Sequence, residues 1–129
     1  MLTRDQILNA QDIQTEEVSV PEWGGSVLVR ALDGEERDAL EASMIQGKGK
    51  NAQVNLKNLR AKLAARSMVD ENGKRLFEDG DIPALAKKSA AALNRVYEAA
   101  QRLSGITPED VDELTKNSKP AQSEDSGSS

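Results

Sequence analysis

Val18-Ser19-Val20-Pro21-Glu22-Trp23-Gly24-Gly25-Ser26-Val27-Leu28-Val29 is the stretch on which the fold turns. From residue 13 to 20 the pattern is β-like, with Val18 and Val20 on one face. Residues 26–32 return as a second strand, in which Val27, Val29 and Ala31 alternate against Leu28 and Arg30. Pro-Glu-Trp-Gly-Gly between them supplies turn chemistry, so the stretch reads as a β-hairpin with a loop longer than the two-residue minimum. Pro21 belongs at a strand end, where its missing N–H costs nothing. An isolated hairpin is marginal in water and has to pack on helices.

The flanking sequence supplies those helices. Thr3 with Gln6 three residues later is a capping box opening a short helix to about Ala10. Asp33 with Glu36 is a second one, starting a helix that runs to about Ile45. Gly47-Lys48-Gly49-Lys50-Asn51 breaks that helix as a solvated, flexible connection. A third helix is expected over residues 52–67, where Leu56, Leu59 and Leu63 fall within about 60° of one another. Residues 68–77 read as a second, smaller hairpin with Asn72-Gly73 as its two-residue turn.

The strongest helical period spans residues 83–103: Leu85, Ala92, Leu93, Val96, Ala100 and Leu103 share one stripe. Pro83 suits its first turn and Ser104-Gly105 its end. Thr107-Pro108-Glu109-Asp110 opens a last short helix ending near Leu114. The fold class is therefore α+β: a mostly helical small domain, residues 1–115, with one or two β-hairpins. Residues 116–129 have almost nothing to bury and are expected to be a disordered tail. Truncation after Lys116 should leave the melting temperature within about a degree.

The chain has 129 residues and neither histidine nor cysteine. A disulfide, a thiolate nucleophile, a Cys-based metal site and an imidazole base are all excluded by residue type. An enzyme would have to rely on carboxylates, Lys, Ser or the single Tyr. Asp5 interrupts the few apolar residues at the start, which lack the apolar core of a signal peptide. The longest apolar run, residues 90–93, is far short of a membrane span. These features read as a soluble protein of a cytoplasm that binds no membrane. With one Trp, one Tyr and one Phe, the core must be thin, which makes partner binding or a homo-oligomer a reasonable source of further stability. Charge falls in blocks: residues 1–45 hold ten acids and three bases, residues 46–68 six bases and no acid. Such blocks favour acid-to-base contact within a molecule or between copies.

Each candidate site has a plainer reading beside it. Asp70-Glu71-Asn72-Gly73 with Asp79 and Asp81 resembles a calcium loop, but its glycine stands fourth where an EF-hand needs it sixth. A type I′ turn plus a helix cap at Asp79 or Asp81 explains it better, and no metal or cofactor is expected. Lys57, Arg60, Lys62 and Arg66 spread around three sides of a helix with no aromatic between them, so nucleic acid is disfavoured as a partner. The Gly47-Lys48 and Gly49-Lys50 pairs lack the spacing of a phosphate loop. Glu35-Glu36 and Asp112-Glu113 serve helix dipoles and solubility, and there is no catalytic set. Trp23 is either a partner-binding anchor or a cap on the hairpin core. The partner-binding candidates are Trp23, Leu93, Val96 and Leu103.

Several ordered segments resemble a known family. They are Leu2-Thr3-Arg4-Asp5-Gln6-Ile7-Leu8, Val20-Pro21-Glu22-Trp23-Gly24-Gly25, Val27-Leu28-Val29-Arg30, Ala65-Arg66-Ser67-Met68-Val69-Asp70-Glu71, Leu76-Phe77, Lys88-Ser89-Ala90-Ala91-Ala92-Leu93 and Leu103-Ser104-Gly105-Ile106. Together, over about residues 2–117, they resemble phage tail assembly chaperones of the XkdN-like and lambda-G-like kind, from long-tailed phages. The resemblance implies a non-enzymatic protein of the host cytoplasm, absent from the mature virion. It further implies that the protein binds and solubilises the tape-measure protein and helps recruit the major tail protein. The alternative is a small nucleic-acid-associated or regulatory protein using residues 48–66. Members of the family often come in two lengths, the longer made by a programmed frameshift. Thr115-Lys116-Asn117 permits one here, as ACA AAA AAC, at a point that spares the folded body.

Overall fold

A computed structural model describes residues 1–107, 109, 110, 112 and 113 of the chain. The tail from residue 116 and the frameshift position at 115–117 lie outside the described residues. The hairpin is present as read. Strand β1 (Thr15–Val20) pairs antiparallel with β2 (Gly25–Arg30), Val18 facing Val27 and Val20 facing Gly25. Pro21 begins a single 3₁₀ turn, Pro21–Trp23, and Gly24 leaves it at φ +76° with its N–H on the Pro21 carbonyl. Val20 and Val29 are buried from opposite strands, as the period-2 pattern requires.

A third strand, β5 (Met68–Val69), joins on the far side of β2, giving the order β1-β2-β5. Met68 and Val69 thus enter the core through the main sheet. The turn after them differs from the expected two-residue type I′. Gly73 N–H bonds the Asp70 carbonyl and Asp70 N–H the Lys74 carbonyl, which centres the turn on Glu71-Asn72. Gly73 alone has positive φ (+83°), the pattern of a type I turn with a glycine bulge. The Asp70 carboxylate explains the choice, since it accepts from the N–H groups of Asn72 and Lys74.

Both capping boxes form. Thr3 and Gln6 cap α1 (Arg4–Leu8), and Asp33 and Glu36 cap α2 (Gly34–Ser43); both helices end about two residues sooner than periodicity indicates. The Gly/Lys stretch after α2 is not a loose connection. Strand β3 (Ile45–Gln46) pairs antiparallel with β4 (Gln53–Val54), closed by a 3₁₀ turn at Gly49–Asn51. That hairpin takes the first residues of the expected 52–67 helix, so α3 is Leu59–Ser67 and Leu56 lies outside it, exposed.

The long helix expected over 83–103 is two. A capping-box turn, in which Glu78 N–H bonds Asp81, leads into α4 (Ile82–Leu85), which tightens and stops before α5 (Ala90–Leu103). The break is local chemistry: Ser89 leaves helical geometry and its hydroxyl accepts the Ala92 N–H as an N-cap. Neither Asp79 nor Asp81 supplies a side-chain cap to α4; Asp79 instead faces Arg75 and Arg66. At the other end of α5, Gly105 (φ +70°) and Ile106 return N–H groups to the Arg102 and Gln101 carbonyls in a Schellman motif. Thr107 and Asp110 then exchange capping bonds, and residues 109, 110, 112 and 113 are helical.

Helix α5 packs on both α3 and the β1-β2 hairpin. Ala61, Ala64 and Ala65 of α3 and Ala92, Ala99 and Ala100 of α5 are buried, small side chains that let the helices approach closely. Leu63, Met68, Val20, Val29 and Val96 are the largest fully buried apolar side chains. Across the hairpin, Arg102 bonds Glu16 with both nitrogens (3.1 and 2.8 Å) and Arg95 bonds Glu22 (2.9 Å). Two acids of the first block, Glu16 and Glu22, thus pair with arginines of α5, and Asp5, Glu36 and Glu41 pair within the block, whereas the basic 46–68 block enters one ion pair among the described residues, Arg66–Asp79.

Candidate functional site

The burial pattern separates the four partner-binding candidates. Val96 is fully buried and Leu93 nearly so, because the α5 stripe is the seam against α3 and the sheet. Val96 therefore offers a partner no surface. Leu103 is half-buried against the same core. Trp23, carried on the 3₁₀ turn at the hairpin tip, is half-buried: one part packs on the core and the rest lines an open cleft. Both readings of Trp23, core cap and exposed anchor, describe parts of the same side chain.

That cleft has a volume of about 270 Å³ and is walled by Trp23, Phe77, Ala84 and Leu85, with Asp81 and Lys88 as its charged members. Trp23 comes from the hairpin turn, Phe77 from the segment before α4, Ala84 and Leu85 from α4, and Lys88 from the break before α5. A cavity of roughly 150 Å³ already holds a benzene-sized group, so this one admits one or two apolar side chains. A second cleft of the same volume lies beyond the break, lined by Leu56, Leu59, Ala61, Ala86 and Leu93, with Asn58 and Arg60. Leu93 forms part of that lining although only 5% of it is exposed.

Sequence periodicity passes over Phe77, Ala84 and Leu85 as a group. A continuous 83–103 helix would have placed Leu85 on the α5 stripe, and only the Ser89 break turns α4 to face the hairpin tip. The signal was present in Ser89 with Ala92 three residues on, a capping position inside an otherwise helical run.

The basic residues are largely spoken for. Arg60 lies over the Tyr97 ring, 5.2 Å from its centroid, and bonds Asn94. Lys62 bonds the Ser43 carbonyl at the end of α2, and Arg66 meets Asp79. Burial raises the Tyr97 pKa, an effect that the Arg60 charge opposes. Arg102 holds Glu16, and Arg95 holds Glu22, below the usual carboxylate range, chiefly through the hydrogen bonds just described. Among the described residues no group of three acids gathers as a metal site, and no helix is long and apolar enough to cross a membrane.

The family model for phage tail assembly chaperones matches residues 3–117. The chain belongs to the phage tail assembly chaperone family. The match runs from the α1 cap past α5 and includes every residue of both clefts. No curated protein and no solved structure matches the chain.

Proposed function

We propose that this tail assembly chaperone holds the tape-measure protein by taking apolar side chains of its helices into the Trp23–Phe77–Leu85 cleft. The observation that carries the reading is the cleft itself: an indole and a phenyl ring, both half-exposed, over an apolar floor. Helix-in-groove recognition uses such a surface, with anchors at i, i+3 or i+4 filling it. Rigid aromatic side chains contribute large contact area at low entropic cost. The tape-measure client, the host cytoplasm as the setting and absence from the finished virion are parts of this reading, taken from what the family resemblance implies. Recruitment of the major tail protein, by this chain or by a longer frameshifted form, belongs to the same reading. The reading is non-enzymatic, in keeping with the chaperone family.

Co-expression with a tagged tape-measure protein tests it. Ala84 is exposed on the cleft wall, so Ala84→Glu blocks the cleft without touching the core. Loss of co-purification with an unchanged melting temperature is the expected result. Wild-type recovery of the blocked variant would move the client site elsewhere.

A further inference from the structure

Leu56 stands 40% exposed just before α3, outside the helix whose stripe it was expected to share with Leu59 and Leu63. Asn58 sets it there. Its φ is +61°, and the Leu59 N–H closes a turn on the Leu56 carbonyl at 3.1 Å. Leu56 is thereby held on the wall of the second cleft, of about 270 Å³, beside Leu59, Ala86 and Leu93. This cleft shares no lining residue with the Trp23–Phe77–Leu85 cleft. Consecutive residues divide the two, since Leu85 lines the first and Ala86 the second.

Charge around the second cleft has one sign. Its lining residues come from two stretches, 46–69 and 82–97, which together hold nine bases and no acid in a chain of net charge −5. Arg60 lines the cleft itself. Lys57 stands between the lining residues Leu56 and Asn58, and Lys87 follows Ala86. None of these three cations enters an ion pair among the described residues. Arg60 is also fixed in place, with its guanidinium over the Tyr97 ring and its Nε on Asn94 at 3.2 Å. Nε alone is used, so among the described residues the two terminal nitrogens remain for a bidentate carboxylate. The first cleft differs, because Asp81 balances Lys88 there.

We propose that the second cleft docks an acidic segment of a partner protein, taking one or two Leu-sized side chains against Leu56 and Leu59 while neighbouring carboxylates meet Arg60, Lys57 and Lys87. The apolar wall and the cations select this occupant jointly. A bare polyanion such as nucleic acid has no aliphatic group to fill the cleft, and covering that wall with phosphate would bury charge without a partner. A neutral or basic segment would fill the cleft but leave the cations unopposed or repelled. Apolar anchors flanked by Asp or Glu satisfy both conditions. Because the clefts have separate walls, occupancy of this one leaves the client cleft open.

Fluorescence anisotropy on the full chain tests this with a labelled, blocked peptide carrying two leucines one helical turn apart among glutamates. Wild type should bind it. Changing the peptide's leucines to serine, or its glutamates to lysine, should weaken binding about tenfold or more. Lys57→Glu/Lys87→Glu alters two exposed side chains and should weaken binding by a similar factor at an unchanged melting temperature. Added salt should narrow that difference. Trp23→Ala, in the other cleft, should bind the peptide as wild type does. No binding at millimolar peptide, equal binding of the serine or lysine peptide, or an undiminished Lys57→Glu/Lys87→Glu variant overturns the proposal. So does an equal loss in Trp23→Ala, which would put the peptide in the client cleft, or tighter binding of a random DNA duplex, which would make the surface a phosphate site.

Discussion

Gly47 shows how far one residue can decide a local fold. Its φ is +83°, and a Cβ there would stand 2.6 Å from the Asn51 carbonyl oxygen, a backbone atom that cannot step aside. Gly47→Ala should cost about 1–3 kcal/mol, as a strained left-handed position does. The drop in melting temperature should be about 4–8 °C per kcal/mol, read by thermal denaturation. Gly80→Ala is the control: it meets nothing within 4 Å, its φ is not positive, and it should change little. Val96, fully buried between α5, α3 and the sheet, sets the opposite limit. Val96→Asp should abolish cooperative unfolding, because a lone carboxylate in that seam has no partner. Trp23→Ala should leave the fold standing and lower client binding about tenfold or more, the usual mark of a buried aromatic anchor. A titration of tape-measure fragments against this variant checks it.

Between elements, Glu16–Arg102 and Glu22–Arg95 tie β1 and the hairpin tip to α5. Both carboxyl groups have lowered pKa values in the fold, so their contribution is present above the ordinary carboxylate range and is lost as pH falls through the lowered values. Asp79, lowered chiefly by its bond from Arg75, adds in the same sense, as does Asp110 through the Thr107 N–H. Urea midpoints should therefore stay flat from pH 9 to 6 with respect to these groups and decline below about pH 4. A Glu16→Gln/Glu22→Gln variant should lose part of that acid dependence and little stability at pH 7. The pairs are exposed, and added salt should mute the difference.

For the molecule as a whole, the gene offers a check that needs no protein. A frameshift at 115–117 requires a Thr115 codon ending in A and AAA for Lys116; any other codon there excludes that site. The α+β class, the main hairpin and its register face, the two opening caps and the end of α5 were all legible in the sequence. Each depends on interactions within about fifteen residues: a side-chain oxygen reaching the N3 amide, a glycine at positive φ, valines alternating across the pleat of one hairpin. Legibility failed where a longer-range partner decided. Met68 and Val69 do form the small hairpin read for residues 68–77, Val69 bridging Arg75 and the Leu76 N–H on the Met68 carbonyl, but local pattern did not show that their other edge pairs with β2 in the main sheet. Residues 53–54 read as helix until Ile45 and Gln46 paired with them. The walls of the cleft were not legible for the same reason. Trp23 stood out as a lone aromatic in a turn, but its neighbours Phe77, Ala84 and Leu85 are more than fifty residues away in the chain. Residue types and spacing determined the caps, turns and strand faces. Packing decided which apolar faces were sealed, α5 against α3, and which stayed open, because only a folded surface brings distant side chains to a common wall.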